Sequence, residues 1–148
     1  MNYSSIVKLL TEHGIASASN DAAELISHFN GKPPSWCLAN RDQNLPPEIM
    51  KAAERLAAGT PLQYITGRAW FMGDKYFVSP DVLIPQPDTE HLAEAALKRL
   101  KPGMRLLDLC TGSGCIIISV LKRVIASGTG VELSAPALAV ARRNAEIH

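Results

Sequence analysis

The amino-acid sequence predicts an α/β fold, and three features carry that prediction. Apolar residues at helical spacing, separated by glycine and proline breakers, fill the chain before Thr60. A period-two aromatic stretch with a glycine turn follows at Trp70–Val78, and beyond Met104 short apolar strands alternate with apolar helices. A helical domain over 1–67, a β-hairpin linker over 68–84 and the opening of a parallel α/β sheet over 85–148 are therefore expected.

Within the helical part, Ile6, Leu9 and Leu10 define a helix over 4–13, with Gly14 as its stop. Asp21-Ala-Ala-Glu24 resembles a capping box and opens a second helix through Phe29, ended by Gly31-Lys-Pro33-Pro34. Pro46-Pro47-Glu48 starts another, with Ile49, Ala53, Leu56 and Ala57 on one face and Gly59 past its end. An Ile/Leu/Ala core of this size is marginal by itself.

The hairpin is expected as strands 70–72 and 76–78 around Gly73-Asp74. With aromatic residues on both faces, a two-stranded ribbon is expected to dock between domains, as a clamp, or to hold a partner. Pro85 and Pro87 stiffen the following segment, and Asp88 or Thr89 is expected to cap a helix through Leu100. The remainder reads as strand 104–109, helix 115–124, strand 128–133 and helix 135–147, with Ser134 as N-cap and Pro136 in the first turn. A parallel sheet is covered on both faces, which two strands cannot complete, so the fold is expected to be partial.

Composition narrows the function classes. The 148 residues are 47% hydrophobic and 20% charged, with a net charge of +1, which gives no global electrostatic case for nucleic acid or acidic membranes. Lys98/Arg99, Lys122/Arg123 and Arg142/Arg143 read as solvated helix faces. Apolar runs such as Cys115–Ile118 fall far short of the roughly 20 residues of a membrane helix, and no export pattern opens the chain, so a cytoplasmic location without membrane contact is expected. Cys37, Cys110 and Cys115 are odd in number and lie in apolar segments, which argues against disulfides; with scattered histidines there is no metal-ligand spacing.

The chemistry concentrates in Leu106-Leu-Asp108-Leu-Cys110-Thr-Gly112-Ser-Gly114-Cys115, an apolar strand entering a glycine turn and then a helix. Glycines let a ligand approach the backbone, and a helix start presents unpaired N–H groups. Glu132, 20 residues after Gly112 at the end of the next strand, is positioned to accept from ribose hydroxyls. A dinucleotide fingerprint needs a third small residue where Ile117 stands, which argues against NAD. A triphosphate loop needs a lysine after its glycines, and none is there. The remaining pattern, D-x-x-T-G-S-G plus a strand-end acid, resembles class I S-adenosylmethionine-dependent methyltransferases, whose cofactor carries no phosphate.

A closer resemblance rests on several blocks: Gly59-Thr-Pro-Leu-Gln63-Tyr64-Ile-Thr-Gly67, the hairpin with Phe71, Ser79 through Glu90, Asp108 through Gly114, and Val131-Glu-Leu-Ser134 through Asn144-Ala. Together they resemble the peptide chain release factor glutamine methyltransferases over essentially the whole chain, residues 1–55 only as a variable helical domain. The resemblance implies the first half of a Rossmann-like class I methyltransferase domain. It implies S-adenosyl-L-methionine as cofactor, peptide chain release factors as partners, and methyl transfer to the amide nitrogen of the glutamine in a Gly-Gly-Gln motif. Residue by residue, Thr111, Gly112, Ser113 and Gly114 would run along the cofactor's amino-acid part and Glu132 would bond the ribose. Asp108 would order the loop, and Cys110 would lie beside the cofactor. Phe71, Pro85, Pro87 and Glu90 would face the substrate.

Departures accompany it. The family commonly has Gly where Cys110 stands and Arg where Gln86 stands. Its Asn-Pro-Pro-Tyr motif, which holds the substrate amide, is absent from these 148 residues, so no catalytic residue is assigned and the chain alone is expected to be inactive. Two alternatives remain open: a non-catalytic protein that binds release factors, and a methyltransferase for another planar amine such as adenine. An open sheet edge would also favour self-association.

Overall fold

The computed structural model describes residues 2–148, in two compact units, Met1–Thr66 and Gly67–His148. The first is all-helical: α1 (Tyr3–Glu12), α2 (Ala18–Asn30), α3 (Pro34–Ala39), α4 (Pro47–Ala57) and α5 (Leu62–Thr66). Ile6, Leu10, Leu25, Ile26 and Ile49 are fully buried at its centre, each contributing about 1.5–3 kcal/mol by leaving water. The Asn2 side chain caps α1 by accepting the Ser5 N–H at 3.0 Å, and the Tyr3 hydroxyl donates to the Ser19 carbonyl.

Three expectations for this unit need correction. Helix α2 begins at Ala18, not Asp21: Ser17 is the cap, and its hydroxyl donates to the Asp21 carboxylate one turn inside the helix. Pro33-Pro34 both follows the left-handed stop at Gly31 and starts α3, because a proline in the first helical turn loses no hydrogen bond. Short α5 was also unexpected; Pro61 precedes it and the Thr66 hydroxyl closes it on the Leu62 carbonyl at 3.0 Å.

The second unit holds an antiparallel hairpin, β1 (Arg68–Phe71) and β2 (Asp74–Phe77), then α6 (Pro87–Arg99), β3 (Arg105–Leu109), α7 (Cys115–Leu121), β4 (Ser127–Val131) and α8 (Ala135–Ile147). Phe71 pairs with Asp74 across a two-residue turn, Met72-Gly73, with both φ angles positive, as a tight right-twisted hairpin requires. The turn thus sits one residue earlier than expected. The hairpin packs within this unit, burying Phe71 and Tyr76 edge to face against Ala93, Cys115 and Val120. The Tyr76 and Ser119 hydroxyls share a buried hydrogen bond of 2.6 Å.

Helix α6 starts at Pro87 with Gln86 as its cap residue, so neither Asp88 nor Thr89 caps it; both lie inside its first turn. Helix α7 stops at Leu121, three residues early. There Lys122 turns to donate to Asp74 at 2.7 Å, and Arg123 reaches the other Asp74 oxygen at 3.3 Å. This pair, expected as a solvated helix face, instead fastens the hairpin tip and holds the Asp74 carboxyl below its ordinary pKa, chiefly through the Lys122 hydrogen bond.

Strands β3 and β4 are parallel, with Leu106 beside Gly128 and Asp108 beside Gly130. On the helix side β4 carries only glycines at these positions: a Cβ on Gly128 would stand 2.7 Å from Leu121 Cδ1 of α7, and one on Gly130 would stand 3.2 Å from the Thr111 side chain. On the other side Leu107, Leu109 and Val131 are exposed, as is Leu133 beyond the strand at 98%. No helix among the described residues is long and apolar enough to cross a membrane.

Candidate functional site

The glycine turn and the acid meet at the carboxyl ends of β3 and β4, where open α/β sheets bind ligands. Strand β3 runs through Asp108 into Cys110, whose φ of 59° is left-handed and puts an exposed thiol at a position that favours glycine. The chain then turns inward: the Thr111 N–H donates to the Val131 carbonyl at 3.0 Å, extending the ladder, and its hydroxyl donates to Asp108 at 2.7 Å. Asp108 therefore orders the loop.

Gly112 and Gly114 take φ angles of 55° and 79°, and the Gly114 N–H closes on the Thr111 carbonyl at 2.8 Å. A Cβ on Gly112 would project into open space, the direction from which a ligand can approach the backbone. Thr111 and Ser113 are buried, so the loop offers mainly its backbone.

Glu132 closes the arrangement. One carboxylate oxygen accepts the Gly112 N–H at 2.9 Å and the other accepts the Ser134 N–H at 3.0 Å. These bonds, the Ser134 one first, lower the carboxyl pKa below its ordinary value. Strand β4 ends at Val131 rather than 133 because Glu132 turns into this clasp. The carboxylate retains lone pairs for further donors such as ribose hydroxyls. Beside it, Thr111, Gly130 and Glu132 begin a groove of about 460 Å³ that continues between α7 and α8 past Ile117 and Leu138.

Asp108, Cys110, Thr111, Gly112, Ser113, Gly114 and Glu132 are thus one constellation. The other four residues lie elsewhere in the unit. Phe71 is fully buried and offers no surface to a substrate; its place is to anchor the hairpin core. The Glu90 carboxylate accepts the Met72 N–H at 2.6 Å and so holds the hairpin turn. Pro85 is half-buried and Pro87 exposed, at the entry to α6.

Sequence reasoning missed Asn144. It is fully buried on α8, where its side-chain oxygen accepts the Phe77 N–H at 2.7 Å and its amide donates to the carbonyls of Phe77 and Ser113 at 2.9 and 2.8 Å. A signal existed: Asn144 continues the buried stripe of Ala137, Val140 and Ala141 at helical spacing.

A helical domain followed by a β-α-β-α unit with a glycine turn and a clasping acid is consistent with part of an α/β methyltransferase. The PrmC N-terminal domain matches residues 3–67. A release factor glutamine methyltransferase of Bordetella pertussis is 44% identical over 133 residues, covering 85% of this chain and 49% of the relative. Enzymes of the same name from Geobacter sulfurreducens and Aliivibrio fischeri are 40% and 36% identical, covering 94% and 96% of this chain and 51% and 52% of their own lengths. The chain spans about half the length of the curated relatives it matches. Over these lengths the chain is similar to release factor glutamine methyltransferases, and its helical unit to the PrmC N-terminal domain.

Proposed function

We propose that this chain supplies the S-adenosyl-L-methionine site of a cytoplasmic protein-glutamine methyltransferase that acts on the Gly-Gly-Gln motif of peptide chain release factors. The observation that carries the reading is the 2.9 Å hydrogen bond from the Gly112 N–H to Glu132, which unites glycine loop and acid. The residues suit that cofactor. Glycine backbone opens onto free space at Gly112, an ionised carboxylate stands ready for ribose hydroxyls, and no lysine follows the glycines to grip phosphates.

When bound, S-adenosyl-L-methionine supplies an electrophilic methyl group on a sulfonium sulfur. The Gly112–Gly114 backbone would line its amino-acid part and Glu132 would accept from its ribose, while Asp108 keeps the loop in shape through Thr111. A glutamine amide nitrogen is a weak nucleophile because its lone pair is delocalised, so positioning provides most of the rate. The family's Asn-Pro-Pro-Tyr motif, which would position it, does not occur in residues 1–148. These residues therefore bind cofactor without completing transfer. Pro85, Pro87 and Glu90 form the substrate-facing entry to α6, with Glu90 acting through the hairpin turn it holds.

The test is calorimetric titration of the chain with S-adenosylhomocysteine, NAD and ATP in parallel, together with a methyl-transfer assay on a release factor. Heat with S-adenosylhomocysteine alone, and no transfer, is expected. Preference for NAD or ATP would overturn the cofactor assignment. Transfer by these residues alone would overturn the dependence on the absent motif.

A further inference from the structure

Asn144 links two parts of the second unit that are far apart in sequence. Its side chain satisfies both backbone groups of Phe77 on β2 and, with the same amide, holds the Ser113 carbonyl between Gly112 and Gly114. An Asn side chain has two amide hydrogens and an acceptor oxygen, and here all are engaged. The Ser113 carbonyl belongs to the same peptide as the Gly114 N–H, which closes the turn on Thr111. Fixing the carbonyl therefore fixes the orientation of the whole peptide plane. Gly112 and Gly114 resist other conformations poorly, so this plane needs an external restraint.

We propose that Asn144 is a positioning residue for the glycine loop: from α8 it sets the Ser113–Gly114 peptide against hairpin strand β2, so loop shape and hairpin position are coupled. The role of the loop in cofactor binding rests on the reading above, but the coupling does not, and its test needs no ligand.

Site-resolved amide exchange of the whole chain tests it. Asn144→Ala is compared with Val140→Ala, a buried truncation on the same helix that removes no hydrogen bond. With Asn144→Ala, exchange at Phe77 and Gly114 is expected to rise by about tenfold or more while the β3–β4 ladder keeps its protection. Val140→Ala should raise exchange without singling out those sites. Unchanged loop exchange in Asn144→Ala, or the same local pattern in Val140→Ala, would overturn the proposal. Should Asn144→Ala fail to fold, the unsubstituted protein decides: both Asn144 side-chain amide protons are expected to exchange slowly, and fast exchange of either would overturn it.

Discussion

Replacing Cys110 by glycine should stabilise the second unit. At a φ of 59° a Cβ crowds the following carbonyl, costing about 1–2 kcal/mol for an L-residue in left-handed backbone. Glycine removes that cost but gives back about 0.5–1 kcal/mol through its greater freedom when unfolded. Because the Cys110 side chain is exposed, little burial is lost. The net gain is about 0.5–1 kcal/mol, which at a typical urea dependence moves the midpoint up by roughly 0.3–0.5 M. Alanine keeps the Cβ and should leave the midpoint nearly where cysteine has it. A Trp36→Phe background lets fluorescence report on the second unit through Trp70. A Cys110→Gly protein no more stable than Cys110→Ala would refute the strain argument.

Other outcomes follow from the same contacts. Tyr76→Phe strands the fully buried Ser119 hydroxyl and should cost about 1–3 kcal/mol in the same denaturation assay; an unchanged midpoint would mean the bond contributes nothing. Burial pushes the Tyr76 pKa up to about 12 despite the Ser119 hydrogen bond. This contribution to stability is complete below pH 10 and declines as pH rises toward 12, visible as late ionisation in absorbance titration of a Tyr3→Phe/Tyr64→Phe protein. For Glu132 the sign reverses: its lowered pKa keeps the clasp intact above the ordinary carboxylate range. Gly112 should lose exchange protection only as pH falls below that range; loss near neutrality would contradict the clasp. Finally, Leu107→Lys/Leu133→Lys should shift sedimentation toward monomer if the bare sheet face drives association; an unaltered profile would exclude that face.

How much was legible follows from how locally each feature is encoded. Helix α8 begins where Ser134 and Pro136 place it, because cap and first-turn residues act on their own neighbours. Helices α3 and α5 are six and five residues long, too short for apolar periodicity to register. The aromatic alternation announced the hairpin, but the turn moved to Met72-Gly73 because Met72 accepts a left-handed φ that its identity does not advertise. Glu132 and the glycine loop were visible as motifs. Their contact was not, since it depends on the parallel register that sets Asp108 beside Gly130. Asn144 shares the helical spacing of the buried Ala137, Val140 and Ala141, but its partners lie 67 and 31 residues away, which no local pattern reveals.

The most direct measurement is a nuclear magnetic resonance titration of the labelled chain with S-adenosylhomocysteine at millimolar concentration, repeated on Glu132→Ala. Shifts concentrated at Gly112, Ser113, Gly114 and Glu132, and lost or strongly weakened in the variant, are predicted if loop and acid form one cofactor site. No response at these amides, or a response that Glu132→Ala leaves intact, would contradict it.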